Sequence, residues 1–380
     1  MLGEKCTVKQ LRTRECGHKY VWQIKDGSFI IGDKPAREKK LKPKKVSHLD
    51  QISRYLAQQL LEPIKDRLHS KKRWIISPDG ALALIPFESL ILDLEKQPVI
   101  ATHDISYVQS LSILALLKQR EEIYQSRENR GTLLAMGDAR YQLPGKSINR
   151  QTCNKAKRAP NFDLETMLTR NHADPQRYQR AFKALDITWC NLPGAEKELA
   201  DLEKLFRDKQ TLILKKDQAT ETKLQSLNQN GTLTHYRYLL FSAHGYLSPD
   251  APALSAIVLD QLNKTANTDG FVTASEWPSY DLKSDLMVLS ACQTGVGKLM
   301  RGEGVMGLPY AFYVAGNKNT LMTLWSVLDD STAKFITSFF KKLKNGMAQI
   351  DALTATKREF LNSKQYKRPL YWAPFVLYGI

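Results

Sequence analysis

Three stretches in the last third of the chain are nearly continuous apolar runs: YRYLLFSAHG from Tyr236, DLMVLSAC from Asp285 and NTLMTLWSVL from Asn319. Strands covered on both faces read this way, because neither row of side chains meets water. The runs lie about 40 residues apart and the intervals carry helical signals, so they predict parallel strands joined by crossover connections. Upstream, TLLAMG from Thr132 predicts another short buried strand, and Thr211 to Leu214 a further one. Helical spacing of apolar residues recurs over 49–69, 110–128, 192–206, 220–229 and 303–315. Alternating positions on both sides of Asp26-Gly27 predict a hairpin, and RWIISPDGALALIPFESL, from Arg73, reads as strand, Asp-Gly turn, strand. A short strand is expected over Ser255 to Asp260 and a helical turn over Thr273 to Trp277. No repeat of 30 to 50 residues is visible, so tandem helical repeats are not expected. The pattern as a whole is that of an α/β protein with a mostly parallel sheet flanked by helices.

With 380 residues, 42% of them hydrophobic and 25% charged, the chain can bury a large core, which excludes a disordered or collagen-like protein. Lys and Arg exceed Asp and Glu by 56 to 39, a net charge of +17. The excess is concentrated. Residues 34–48 hold seven basic and one acidic residue, and 141–190 hold nine and four, whereas 191–380 hold 22 and 18. The KPAREKKLKPKK run, Lys34 to Lys45, has two prolines and no apolar period, so it reads as a solvated linker. It also lacks the interleaved aromatics of a nucleic-acid reader; contact with nucleic acid is expected only through the basic segments. Five scattered cysteines with no CxxC pair argue against a disulfide framework and against a four-ligand zinc site. The longest apolar stretch, 304–328, contains Pro309, Gly316 and Lys318 and reads as a buried helix followed by a strand, not as a membrane span. No apolar leader is visible, so a soluble protein of the reducing cytoplasm, without membrane association, is expected.

If the three runs are parallel strands, their carboxyl ends share one sheet edge, the place where open α/β folds bind ligands. His244 then follows the first and Cys292 the second. Neighbouring strands lie about 4.8 Å apart, which would bring imidazole and thiol together. A thiolate nucleophile needs such a base, and the same imidazole can return the proton to a leaving amine. The backbone N–H groups of Gly245 and Cys292 would serve as an oxyanion hole. A cysteine at a strand end is by itself ordinary packing, and six other histidines are present. The paired placement, His before Cys by 48 residues, is what singles these two out. Glycines 295, 297, 302, 304 and 307 do not form GxxxxGK[ST], which excludes a P-loop.

FSAHG, LSACQTG, GEGVMGL (302–308), LWSVLDDST (324–332) and YWAPFVLYG (371–379), preceded by ISPDGALALIPFESL and LPGAEKEL, resemble the successive motifs of the CHAT domain. This is the caspase-like peptidase family, often attached to TPR repeats and related to separases. The resemblance runs from about residue 50 to the end. It implies a caspase-like fold with an N-terminal extension and basic linker over 1–48, a non-catalytic half over 49–140, a basic insertion over 141–190 and a catalytic half over 191–380. His244 and Cys292 match the family's dyad, and no cofactor is implied. Ser290 and Ala291 precede the cysteine where caspases have Gln-Ala, so their recognition of aspartate does not carry over. Asp329 occupies the acidic position of the motif shared with separases and, with Asp330, is the candidate to bind a basic side chain before the scissile bond. Either aspartate could instead cap the helix that begins near Ser331.

The reading is a latent cysteine endopeptidase that cleaves a specific protein substrate after activation by a partner protein or ribonucleoprotein. The resemblance suggests a signalling or prokaryotic defence setting. Two alternatives remain: a catalytically silent interaction module on the same fold, and a basic protein tethered to a nucleic-acid complex.

Overall fold

The structure, a computed structural model, describes residues 20–25, 28–33, 48–92, 97–143, 187, 189–207, 210–246, 252–290, 299–300, 304–305, 307–325, 327 and 329–380. The chain divides into a unit over Met1–Gln51 and a larger one over Ile52–Ile380. In the first, β1 (Tyr20–Lys25) and β2 (Ser28–Asp33) form the expected antiparallel hairpin, with Lys25 opposite Ser28.

The second unit is built on one eight-stranded sheet. Its strands are β3 (Arg73–Ile76), β4 (Asp104–Tyr107), β5 (Gly131–Ala139), β6 (Thr211–Lys216), β7 (Tyr236–Ser242), β11 (Leu286–Leu289), β14 (Asn319–Thr323) and β15 (Phe375–Tyr378), in the order β3-β4-β15-β14-β11-β7-β5-β6. β14, β11, β7, β5 and β6 are parallel neighbours, as are β3, β4 and β15; the two blocks meet at the antiparallel β14–β15 pair. A second sheet orders β8 (His244–Tyr246), β9 (Ala256–Val258) and β10 (Phe271–Thr273) as β10-β9-β8, all antiparallel. β12 (Leu299–Met300) and β13 (Gly304–Val305) form a short antiparallel pair.

Successive residues of the central strands enter two separate cores, as burial on both faces requires. Leu239, Phe241, Met287 and Leu289 pack into one cluster, with Leu117 of α2 (Leu111–Gln125), Leu224 of α4 (Glu221–Gln229) and Phe312 of α5 (Leu308–Val314). Tyr238, Leu240, Leu286 and Val288 pack into the other, with Leu199 of α3 (Pro193–Leu205), Phe335 of α6 (Asp329–Lys344) and Phe360 of α7 (Gln349–Asn362). The α/β layering expected of a caspase-like fold is therefore present. A buried ion pair crosses it: Lys357 Nζ on α7 donates to Glu88 Oε1 at 2.6 Å, and the Tyr107 hydroxyl donates to the other carboxylate oxygen.

Three expected elements differ. The helix from 49 ends at Leu60 (α1, His48–Leu60), and Pro63 lies in a separate 3₁₀ turn, Glu62–Ile64. The second strand expected after Asp79-Gly80 is two 3₁₀ turns, Gly80–Leu84 and Phe87–Ser89. Gly80 adopts a left-handed φ of 52° there, and of ALALI only Ala83 is buried. The helix expected from Glu303 starts only at Leu308, after β13.

Candidate active site

The carboxyl ends of β5, β7, β11 and β14 lie side by side, with Gly137 two residues before the end of β5 and Ser242, Ser290 and Thr323 at or just beyond the ends of the other three. Leu289 stands opposite Phe241, and Ser290 N–H donates to the Phe241 carbonyl at 2.9 Å. His244 is three residues beyond Phe241, and Cys292 is three residues beyond Leu289 in sequence. Cys292 itself lies outside the described residues.

After Ser242 the chain leaves the main sheet and enters β8, so His244 is the hinge residue between the two sheets. Its N–H donates to the Tyr141 hydroxyl at 3.2 Å, and that hydroxyl donates to Val258 O at 2.8 Å. The ring stands edge-on to Tyr141, with centroids 4.6 Å apart, and 5.1 Å from Trp189. Its Nε2 is 2.6 Å from the Cys190 carbonyl. A carbonyl only accepts, so this contact places the proton on Nε2 and leaves Nδ1 as the acceptor. Only 2% of the residue is exposed. Burial opposes the imidazolium and holds the pKa down at about 4, partly offset by the Cys190 carbonyl.

The approach of β5 depends on a glycine. A Cβ on Gly137 would fall 2.2 Å from Ser242 O, two residues before His244. Gly245 lies in β8 opposite Ile257, next in sequence to the imidazole. Asp329 is the first residue of α6, and its side chain lies outside the described residues. Asp330 is exposed; its carboxylate pairs with Lys197 of α3 and, at 3.3 Å, with Lys334 one turn along α6, which keeps it below the usual carboxylate range. Asp330 thus ties α6 to α3 through the chain's own lysines. Both aspartates begin the helix rather than cap it.

Sequence reasoning overlooked two residues here. Glu198 sits on the buried face of α3 with Ala195, Leu199 and Leu202, and accepts a 2.7 Å bond from Ser290 Oγ. The signal was a carboxylate on the apolar stripe of an amphipathic helix. Glu198, Ser290, Ser242 and Thr323 line a cavity of about 30 Å³, room for one water molecule. The other is Cys190, which orients the imidazole through its carbonyl and is disulfide-bonded. No disulfide was expected, because a fold can join cysteines whose sequence spacing carries no pattern; the other four cysteines lie outside the described residues. Among the described residues no group of His, Cys, Asp or Glu could hold a metal ion, and no helix is long and apolar enough to cross a membrane.

The family model of the CHAT domain matches residues 50–380. Human tetratricopeptide repeat protein 28 is 32% identical over 108 residues, which is 28% of this chain and 4% of that protein. Its mouse counterpart is 31% identical over the same length, again 28% of this chain and 4% of the relative. The chain thus spans a small fraction of these curated relatives. Two solved structures of the Saccharomyces cerevisiae separase–securin complex are also similar, with TM-scores of 0.43 and 0.44 at 14% and 15% identity, each covering 80% of this chain and 15% of the other.

Proposed function

The chain belongs to the CHAT domain family, and we propose that it is a latent cysteine endopeptidase in which His244 activates Cys292. The observation that carries this reading is the placement of His244. It lies two residues past the buried strand β7, whose parallel neighbour β11 ends three residues before Cys292 in sequence, and its Nε2 is tied to a carbonyl so that Nδ1 is left to accept a proton. In the proposed reaction the Cys292 thiol attacks the scissile carbonyl and gives its proton to Nδ1. The N–H groups of Gly245 and Cys292 stabilise the oxyanion. The imidazolium then protonates the departing amine, leaving a thioester. Water, losing a proton to the same imidazole, hydrolyses it to the acid and restores the thiol. Asp329 is the residue proposed to pair with a lysine or arginine before the cleaved bond.

Burial of His244 bears on latency. The imidazolium this cycle requires is disfavoured in a ring held between Tyr141 and Trp189. Activation by a protein or ribonucleoprotein partner would have to admit water or charge to the ring. A second reading, a silent interaction module, is favoured by the same burial, since a satisfied core histidine also looks like this. Incubating wild type, Cys292→Ala and His244→Ala with a library of denatured proteins, with and without reductant, separates the two. Cleavage after Lys or Arg by wild type alone supports the peptidase; equal cleavage by all three removes both residues from it.

A further inference from the structure

We propose that the opposite edge of the sheet binds an organic phosphate of about nucleotide size, a claim independent of the peptidase reading. A cavity of about 820 Å³ opens there, within the size range of small-molecule sites. Arg130 immediately precedes β5, Arg237 is the second residue of β7, Asp285 immediately precedes β11 and Lys318 immediately precedes β14; all four line it.

The cations outnumber what the lining carboxylates can neutralise. Asp285 serves two guanidinium groups, Arg130 at 2.8 Å and Arg237 at 3.0 Å. Glu121 is paired with Lys318. Among the described residues, Arg127 bonds to carbonyl oxygens, those of Lys283 and Thr234, and pairs with no carboxylate. Arg73 is paired with Asp351, so one carboxylate between two arginines, and an arginine with none, leave the lining side chains with an excess of two positive charges. Arg130 is buried, its side chain 5% exposed, and its Nε has no hydrogen-bond partner. The amino end of the 14-residue α7 opens on the same cavity, and its cap residue, Ala348, supplies no side-chain bond. Free helical N–H groups and forked guanidinium donors are together suited to phosphate oxygens.

Phosphate alone does not account for the volume. Leu343, Met347 and Ile350 give the cavity an apolar side, and the Tyr124 ring lies under Arg127 and Arg130 at 5.9 and 5.8 Å. A phosphorylated compound with an apolar or planar body matches that division.

The test is isothermal titration of the full chain, at fixed salt, with ATP, pyrophosphate and adenosine. ATP and pyrophosphate are expected to bind and adenosine not to. Arg127→Ala should weaken ATP at least tenfold. Met347→Glu, at a lining side chain 46% exposed, adds negative charge without removing a bond and should do the same while preserving the fold. No binding of ATP or pyrophosphate at millimolar concentration overturns the proposal. So does binding unchanged in Met347→Glu, which would place the anion on the basic segments instead, or adenosine binding as tightly as ATP.

Discussion

Acid should weaken this protein through His244 by an amount that follows from its surroundings. The unfolded imidazole titrates near 6.5, whereas in the folded chain burial holds the pKa at about 4. The unfolded state therefore takes up the proton first, so the contribution to stability is complete above pH 6.5, falls as the pH drops toward 4 and then levels off. At pH 5 the unfolded chain gains a factor of about 30 in its partition function against about 1.1 for the folded one, a loss of about 2 kcal/mol; the full loss below pH 4 is about 3.4 kcal/mol. Urea denaturation of wild type and His244→Gln at pH 7.5 and pH 5.0 isolates this residue, because other titrating groups cancel in the difference. Wild type should lose about 2 kcal/mol more than the variant between the two pH values. Equal losses, or an imidazole that titrates near 6.5 by NMR in the folded protein, would refute the claim that Tyr141, Trp189 and the Cys190 carbonyl hold the ring neutral.

Two further outcomes follow from other parts of the fold. Lys357→Met strands the Glu88 carboxylate in the core, where both side chains are 1% exposed, and should cost about 3–5 kcal/mol in chemical denaturation. Lys357→Met with Glu88→Gln should recover most of that loss, since Gln still accepts from Tyr107. Gly137→Ala should cost about 1–3 kcal/mol, as the new Cβ forces Ser242 away. It should also move the His244 pKa back toward 6.5, an effect a remote packing defect would not have.

The sheet was legible because its centre is buried on both faces: Leu239 to Phe241 and Leu286 to Leu289 leave no polar row, and the strands could be read directly as apolar runs. Their adjacency was legible as well, since consecutive parallel strands tend to neighbour each other. ALALI reads as a strand because five residues are too few to fix a period, whereas in the fold Ala83 alone of the five is buried. The position of His244 followed from where its strand ends, but its environment did not. Tyr141, Trp189 and Cys190 come from segments about 50 to 100 residues earlier in the chain, and only the fold brings them to the ring. Asp330 illustrates the converse: Lys334 is its neighbour one turn along the helix, but its partner Lys197 becomes evident only once α3 and α6 are packed.

The central claim is that the imidazole of His244 serves the sulfur of Cys292, and the rate of alkylation at that sulfur tests it most directly. With Cys190 reduced, iodoacetamide modification of Cys292 should be followed by mass spectrometry across pH 5 to 10, in wild type and in His244→Ala. Once a partner has admitted water or charge to the ring, the account predicts faster modification of Cys292 than of Cys153, another of the five cysteines, near neutral pH, with the advantage lost in His244→Ala. Matching pH–rate profiles for Cys292 in the two proteins would contradict it.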